Sequence, residues 1–362
     1  GETLSLARRA GARVREVPDR HLRRRGARAA NADAAFAKAQ ELLTVGSRDD
    51  EPFATVVRRT GAGRRGEAAS LATEFVRGFY LADPRTASSL ALARMTRAIE
   101  ETGDAIGRVD GGYARVLEPL VRDVRANRGE LRLSTVVDEL RWRRGHVRVA
   151  ARGLAGARLR PIEADRAVVT LPLSLLKDGD VRFVPALREK GRAAAALAMG
   201  PIVKVLLRFR WPPWRDAGRR ALAFLHVAGA PVPVFWTLAP LEAPVLVGWA
   251  GGPDAERLAG RREADVVRAA IRSAARGLGL RAGALEEALD GAAVADWTRD
   301  PFARGGYAVF PAGSAGAAEV LAEGIAGTLF FAGEATAGAR AGTVDGAIMT
   351  GERAAREVLA SR

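Results

Sequence analysis

One lysine stands inside an apolar run, Ile202-Val-Lys-Val-Leu-Leu-Arg-Phe209. Only four of the chain's 57 basic residues are Lys (Lys38, Lys177, Lys190 and Lys204). Arg stays charged in any setting, whereas burial can neutralise a Lys and leave it able to hold a water. Lys204 is therefore a candidate for chemistry, with a snorkelling ammonium at a strand edge as the alternative. A second signal is the block Leu329–Leu359, LFFAGEATAGARAGTVDGAIMTGERAAREVL. It reads as a buried strand, a loop of small residues and a helix opened by Thr343. Gly333 lets a backbone come close to a ligand because it has no Cβ. The helix start at Thr343-Val344 offers unpaired N–H groups and a partial positive charge, which suit an anion or an electron-rich carbonyl. Gly346 and Ala347 in the first turn allow close packing against a flat group. The alternative is a strand–loop–helix packed for structure alone. Tyr307 follows Gly305-Gly306, which would expose its ring, with a core Tyr as the other reading.

These residues need a frame. From residue 1 to about 107 the apolar spacing predicts helices, chiefly over 30–43, 66–79 and 84–99. Gly and polar clusters at 46–50 and 61–66 read as loops, and the basic runs at 23–25 and 64–65 as solvated faces. The pattern changes at Asp110-Gly-Gly-Tyr113. A helix over 114–127 follows, then short strands at 131–134, 136–142, 146–150 and 166–171. Residues 186–199 are helical in pattern. Strands follow at 202–209, 221–227, 232–238 and 245–250, an amphipathic helix at 264–278 and a strand at 292–297. The chain closes with the strand, turn and helix described above.

Composition narrows the class. The chain has 362 residues, room for about two domains, and is 48% apolar and 27% charged, as ordinary globular proteins are. It contains no Cys, which excludes disulfides, thiolate metal sites, iron–sulfur clusters and a cysteine nucleophile. His21, His146 and His226 are too dispersed in sequence to suggest a His-rich metal site. The net charge of +15 comes from Arg spread evenly along the chain, with aromatic residues at 6%. That spread points away from a specific nucleic-acid surface. No charged segment followed by an apolar core marks a signal peptide, and no apolar run is long enough to predict a membrane span.

The C-terminal block resembles the flavin-binding motif of the flavin-containing amine oxidases, which include monoamine and polyamine oxidases and lysine-specific histone demethylases. Other segments resemble that family in the same order: Asp110-Gly-Gly-Tyr113, Thr135-Val-Val137, Val169-Thr-Leu-Pro-Leu173, Gly200-Pro-Ile-Val-Lys204-Val and Trp297-Thr-Arg-Asp-Pro-Phe-Ala-Arg-Gly-Gly-Tyr307. The likeness covers roughly 108–362, and 1–107 more loosely. It implies FAD as cofactor. Lys204 would hold a water near flavin N5, and Tyr307 would shape an amine site, its ring face attracting cation character. Gly333, Thr343 and Val344 would contact the flavin, with Pro172 and Trp297 beside it, and Glu334 would lie near the ribityl or diphosphate part of the cofactor. Val137 would meet adenine through its backbone. Glu334 could equally cap its own turn, Val137 and Trp297 could be core residues, and Phe302 is pocket or core. Before the last helix, where many members carry an aromatic residue, this chain reads Ala341-Gly342-Thr343.

The resemblance also implies an opening strand with a Gly-x-Gly-x-x-Gly turn and an acidic residue at the end of the second strand. The stretch at 61–66 matches the glycine spacing, but the segment before it is too short and basic for a buried strand. The family's Gly-Gly-Arg stretch has no counterpart either. The chain thus reads as a family member that starts beyond its first βαβ unit and binds flavin poorly alone. The expected fold is α+β (mixed α/β) with two interleaved domains: a FAD domain from 108–190 and 301–362, and a substrate domain from 1–107 and 191–300. The implied partners are a small-molecule amine and O2. A catalytically silent binding module and a related flavin oxidoreductase, such as an amino-acid oxidase or carotenoid desaturase, are the alternatives.

Overall fold

The computed structural model describes residues 1–26, 28–45, 49–59, 66–102, 106–218 and 222–361. The glycine-rich stretch at 61–66 lies, except for Gly66, outside the described residues, as do Arg64 and Arg65. The chain forms two compact units, each assembled from separated segments. The first comprises 1–15, 108–198 and 314–362, and the second 16–107 and 199–313. These boundaries differ from the expected ones at three places. Residues 1–15 and 191–198 join the first unit, and 301–313 the second. The N-terminal helix explains the first change, because Leu6 and Ala7 pack with Val116 and Ile348 of the first unit.

The second unit is built on a seven-stranded sheet. Its strand order is Leu289–Asp296, Ile202–Phe209, Val245–Gly251, Val234–Thr237, Phe224–Val227, His21–Arg25 and Arg28–Asn31. Neighbouring strands in this sheet are antiparallel except Phe224–Val227 against His21–Arg25. Strand alternation assigns side chains to faces. Val203, Val205, Leu207 and Phe209 point to the core, which helix Glu263–Leu278 completes with Val266, Ala270, Ile271 and Ala274. Each Val, Leu, Ile or Phe among them contributes roughly 1.5–3 kcal/mol by burial. Lys204, Leu206 and Arg208 fall on the opposite face, so the run is not buried throughout: Leu206 is 39% exposed and Lys204 half-buried.

Two expectations for the first hundred residues are corrected here. Residues 21–25 and 28–31 are strands, not helix or loop. Arg23 is not on a solvated face: it is 3% exposed. As an inward strand position it donates to Glu74 at 2.7 Å, Ser70 at 3.0 Å and Glu67 at 3.3 Å, all on helix Glu67–Gly78. No strand forms at 131–134, where Leu133 is 85% exposed.

The first unit has a four-stranded sheet ordered Ile162–Ala164, His146–Gly153, Thr135–Arg143 and Arg182–Val184. Beside it run two short parallel strands, Ala167–Val169 and Leu329–Phe331. Leu140, Val147, Val169, Val181, Leu329 and Phe331 share one core. The terminal helix Val344–Ala360 packs on the parallel pair through Ala354 and Val358 against Phe330 and Ala332. Strand Val14–Glu16 pairs with Gly107–Val109. Asp110 fixes this ladder through Arg15 Nε at 2.8 and 3.1 Å. Gly111 and Gly112 follow at φ +84° and +83°, a left-handed pair that side-chain-bearing residues resist. Helix Ala114–Ala126 starts directly after them.

Candidate functional site

In the first unit the candidate residues converge on the carboxyl ends of the two parallel strands. In open α/β sheets this is the end where ligands bind. Strand Leu329–Phe331 ends at Ala332, whose N–H donates to Val169 O at 3.0 Å. Gly333 follows at φ +124°, with open space where a Cβ would stand. Its N–H donates to Thr350 Oγ1 at 3.0 Å. Glu334 accepts from Gly342 N–H at 2.9 Å, so its carboxylate closes the loop between them. Thr343 is the cap of the terminal helix: its Oγ1 accepts from Gly346 N–H at 2.9 Å and donates to Arg340 O at 2.7 Å. Gly346 is required by space, because a Cβ there would stand 2.2 Å from Arg340 O. Val344 is 44% exposed at the first position of this helix. Pro172 precedes the short helix Leu173–Asp178, just past Val169. Val137 sits farther along the four-stranded sheet, and its side chain packs against the first unit's core.

A further candidate, Glu16, is the first residue of the second unit. Strand Val14–Glu16 follows helix Glu2–Arg9 and ends on an exposed carboxylate, Glu16. A strand-end acid in that helix–strand order is the group that takes a ribose hydroxyl in dinucleotide folds. Glu16 is silent in the sequence, because a three-residue strand with Arg at its centre gives no apolar run.

In the second unit Lys204 lies opposite Trp249 and Ala295 in the sheet register. Its Nζ stands 5.8 Å from the Trp236 ring centre, and the Trp236 and Trp249 rings are 5.8 Å apart. Trp249 is held by its Nε1–H, which donates to Gly78 O at 2.6 Å. The ammonium thus sits on a tryptophan-lined sheet face, half shielded from water. Tyr307 is half-buried, and its hydroxyl donates to Phe79 O. Trp297 and Phe302 are 45% and 47% exposed, which removes both from the core. Trp297 opens a short 3-10 turn that Asp296 caps.

Farther along the same face is a group with no sequence signal. His21 and His226 join Nδ1 to Nε2 at 2.9 Å, and His21 Nε2 reaches Asp19 at 2.8 Å. The His21 ring stacks on Phe36 and Phe224 at 4.1 and 4.9 Å. Burial, then the neighbouring His21 and Arg23, push His226 down to about 3. The parallel seam between strands 21–25 and 224–227 brings these rings together.

Among the described residues no cluster of His, Cys, Asp or Glu could hold a metal, and no helix is long and apolar enough to cross a membrane. The family described as flavin containing amine oxidoreductase matches residues 5–359. The chain belongs to that family. Lysine-specific histone demethylase 1 homolog 3 of Arabidopsis thaliana is 29% identical over 265 residues, which is 69% of this chain and 16% of the plant protein. Human lysine-specific histone demethylase 2 is also 29% identical over 265 residues, 30% of its length. The chain therefore spans less than a third of these curated relatives. Among solved structures, putrescine oxidase bound to putrescine gives a TM-score of 0.79 at 20% identity, covering 99% of this chain and 85% of that one. Cyclohexylamine oxidase from Brevibacterium oxydans gives 0.75 at 19%, covering 99% and 84%. These likenesses establish an amine-oxidase-type mixed α/β fold, as expected from the sequence. The family's cofactor is FAD. The Gly333 cradle, the capped helix start and the exposed Val344 fit a flat, electron-rich ring, and no bulky side chain fills the space at Gly333.

Proposed function

We propose that this chain is an FAD-dependent oxidoreductase that oxidises an amine. The observation that carries the reading is the loop from Gly333 to Thr343 at the carboxyl ends of two parallel strands, ending at a helix start with an exposed apolar residue. FAD, when bound, supplies the acceptor for a hydride from the carbon next to the amine nitrogen and passes the electrons to O2, giving peroxide. The chain's own part is orientation and electrostatics. The N–H groups that open the terminal helix at Val344 would stabilise negative charge placed before them. Gly333 would let the backbone approach the cofactor, and Glu334 would keep the loop in shape through Gly342. Pro172 and the backbone of Val137 would line the cofactor.

In the second unit Lys204 would hold a water for the oxidative half of the cycle. Trp236, Trp249, Trp297 and Tyr307 offer ring faces that favour an amine as cation character develops. The imine that leaves the site would add water and release the carbonyl product and the free amine. The relatives' names span histone lysines, putrescine and cyclohexylamine, so the reading stops at the amine class. The test is titration of the purified chain with FAD, followed by peroxide detection on a panel of mono-, poly- and peptidyl-lysine amines. A flavin spectrum with amine-dependent peroxide supports the reading. Uptake of FAD without peroxide on any amine would favour the binding-module alternative.

A further inference from the structure

We propose that Lys190 is a positioning residue for the loop carrying Gly333 and Glu334, acting as a compact cation that ties a helix end to the strand feeding that loop. Lys190 lies on helix Arg188–Ala196 and is 3% exposed. Its Nζ donates to three backbone carbonyls, Val320, Leu321 (3.2 Å) and Glu323, at the end of helix Ala317–Ala322. Those carbonyls belong to the last turn, which has no intrahelical donors left for them and carries partial negative charge. The same Nζ stands 4.5 Å from the centre of the Phe331 ring. One ammonium thereby joins three elements: its own helix, the end of a second helix and the strand whose next residues are Ala332 and Gly333.

The residue type is as informative as the place. In a chain that uses Arg almost everywhere, this buried position keeps Lys. Three N–H bonds spread around one nitrogen can meet three converging carbonyls, whereas a guanidinium presents its donors in a flat fork. Phe331 is also fixed from the other side, where Arg353 donates to its carbonyl oxygen. Around the ammonium stand Glu189 of its own helix, Glu323, and Arg353 and Glu357 of the terminal helix. The side chain is thus part of a built junction, placed two residues before the Gly333 cradle.

The inference rests on reading that loop as the cofactor site, and the test separates the two. Hydrogen exchange is measured on the full chain for the amides of Ala332 and Gly333, which donate to Val169 O and Thr350 Oγ1. Lys190→Met is expected to speed exchange there about tenfold or more, the scale of a lost charged hydrogen bond. Amides of strand Thr135–Arg143 should stay within about twofold. Lys190→Arg should not restore protection, and FAD uptake by fluorescence quenching should weaken in parallel. Unchanged exchange at Ala332 and Gly333, an equal rise everywhere, or full rescue by Arg would overturn the proposal. If Lys190→Met does not fold, Phe331→Leu decides: it keeps the carbonyl contacts and removes the ring, so a selective rise at Ala332–Gly333 supports the junction and none overturns it. If the unsubstituted chain takes up no FAD, the cofactor reading fails while the exchange comparison still decides the role of Lys190.

Discussion

Acid should unfold the second unit through His226, and the size of the effect follows from the network around it. Asp19 accepts from His21 Nε2–H, which leaves His21 Nδ1 with a lone pair to receive His226 Nε2–H. A further proton on His226 would put a second charge beside Arg23 and against the His21 and Phe36 rings. Its folded value near 3 lies below the ordinary 6.5. The native state therefore favours neutral His226, and the unfolded chain binds the proton more tightly. Stability from this group is fully present above pH 6.5 and is lost as pH falls towards 3. At about 1.4 kcal/mol per unit of pKa, the full difference is on the order of 5 kcal/mol. That is comparable to the whole stability of many domains. Urea unfolding followed by tryptophan fluorescence between pH 8 and 4 measures it, since Trp236 and Trp249 lie in the same sheet. His226→Phe should lower stability at pH 8, because His21 Nδ1 loses its donor, yet flatten the pH dependence by about one proton. Equal slopes for the two proteins between pH 6 and 4 would refute the assignment, since the carboxylates common to both would then account for the whole acid response.

Three further outcomes follow from the geometry. Lys204→Met should cut oxygen consumption by the FAD-loaded chain about tenfold or more while leaving FAD uptake intact, because it removes a cation and not a cradle. Gly333→Ala should weaken FAD uptake about tenfold and lower the melting temperature by a few degrees, since φ +124° costs a side-chain-bearing residue about 1–3 kcal/mol; unchanged binding would show that the backbone does not approach the cofactor there. Arg23→Met should destabilise the second unit by about 2–3 kcal/mol in urea, less than for a fully buried pair, because Glu74 keeps 32% of its side-chain surface in water.

The terminal block was legible because three local rules agree in it. An apolar strand, a glycine where the backbone must take φ +124°, and a Thr that caps a 17-residue helix each leave their own mark on the sequence. Strand Ile202–Phe209 was legible for the same reason, with bounds that match its apolar run. What was not legible is non-local. His-Leu-Arg-Arg-Arg at 21–25 has no strand signature, and only pairing with Phe224–Val227 and the carboxylates of helix Glu67–Gly78 make it an inner strand. Glu16 gains meaning only from the strand that ends on it. Leu131 and Leu133 alternate like a strand, yet no partner pairs with them among the described residues, and alternation alone does not make a ladder.

The sheet of the second unit also explains why one lysine could be singled out while its surroundings could not. Register aligns Arg23, His226, Val234, Trp249 and Lys204 in one row across five strands. At about 4.8 Å per strand the row is roughly 19 Å long. Every second residue of these strands faces the apolar core, where Val203, Val205, Leu225, Phe235 and Ala250 are each almost fully buried. A single strand therefore serves stability with one set of positions and presents chemistry with the other. That division frees the open face from packing demands and lets it carry an ammonium, indoles, a histidine pair and a buried guanidinium within one hydrogen-bonded sheet. It also separates the face into two regimes. Around His226 and Arg23, helices Asp33–Thr44 and Glu67–Gly78 supply Phe36 and the acids, and His21, His226 and Arg23 are each hydrogen-bonded. At the Lys204 end the neighbouring Leu206 stays 39% exposed.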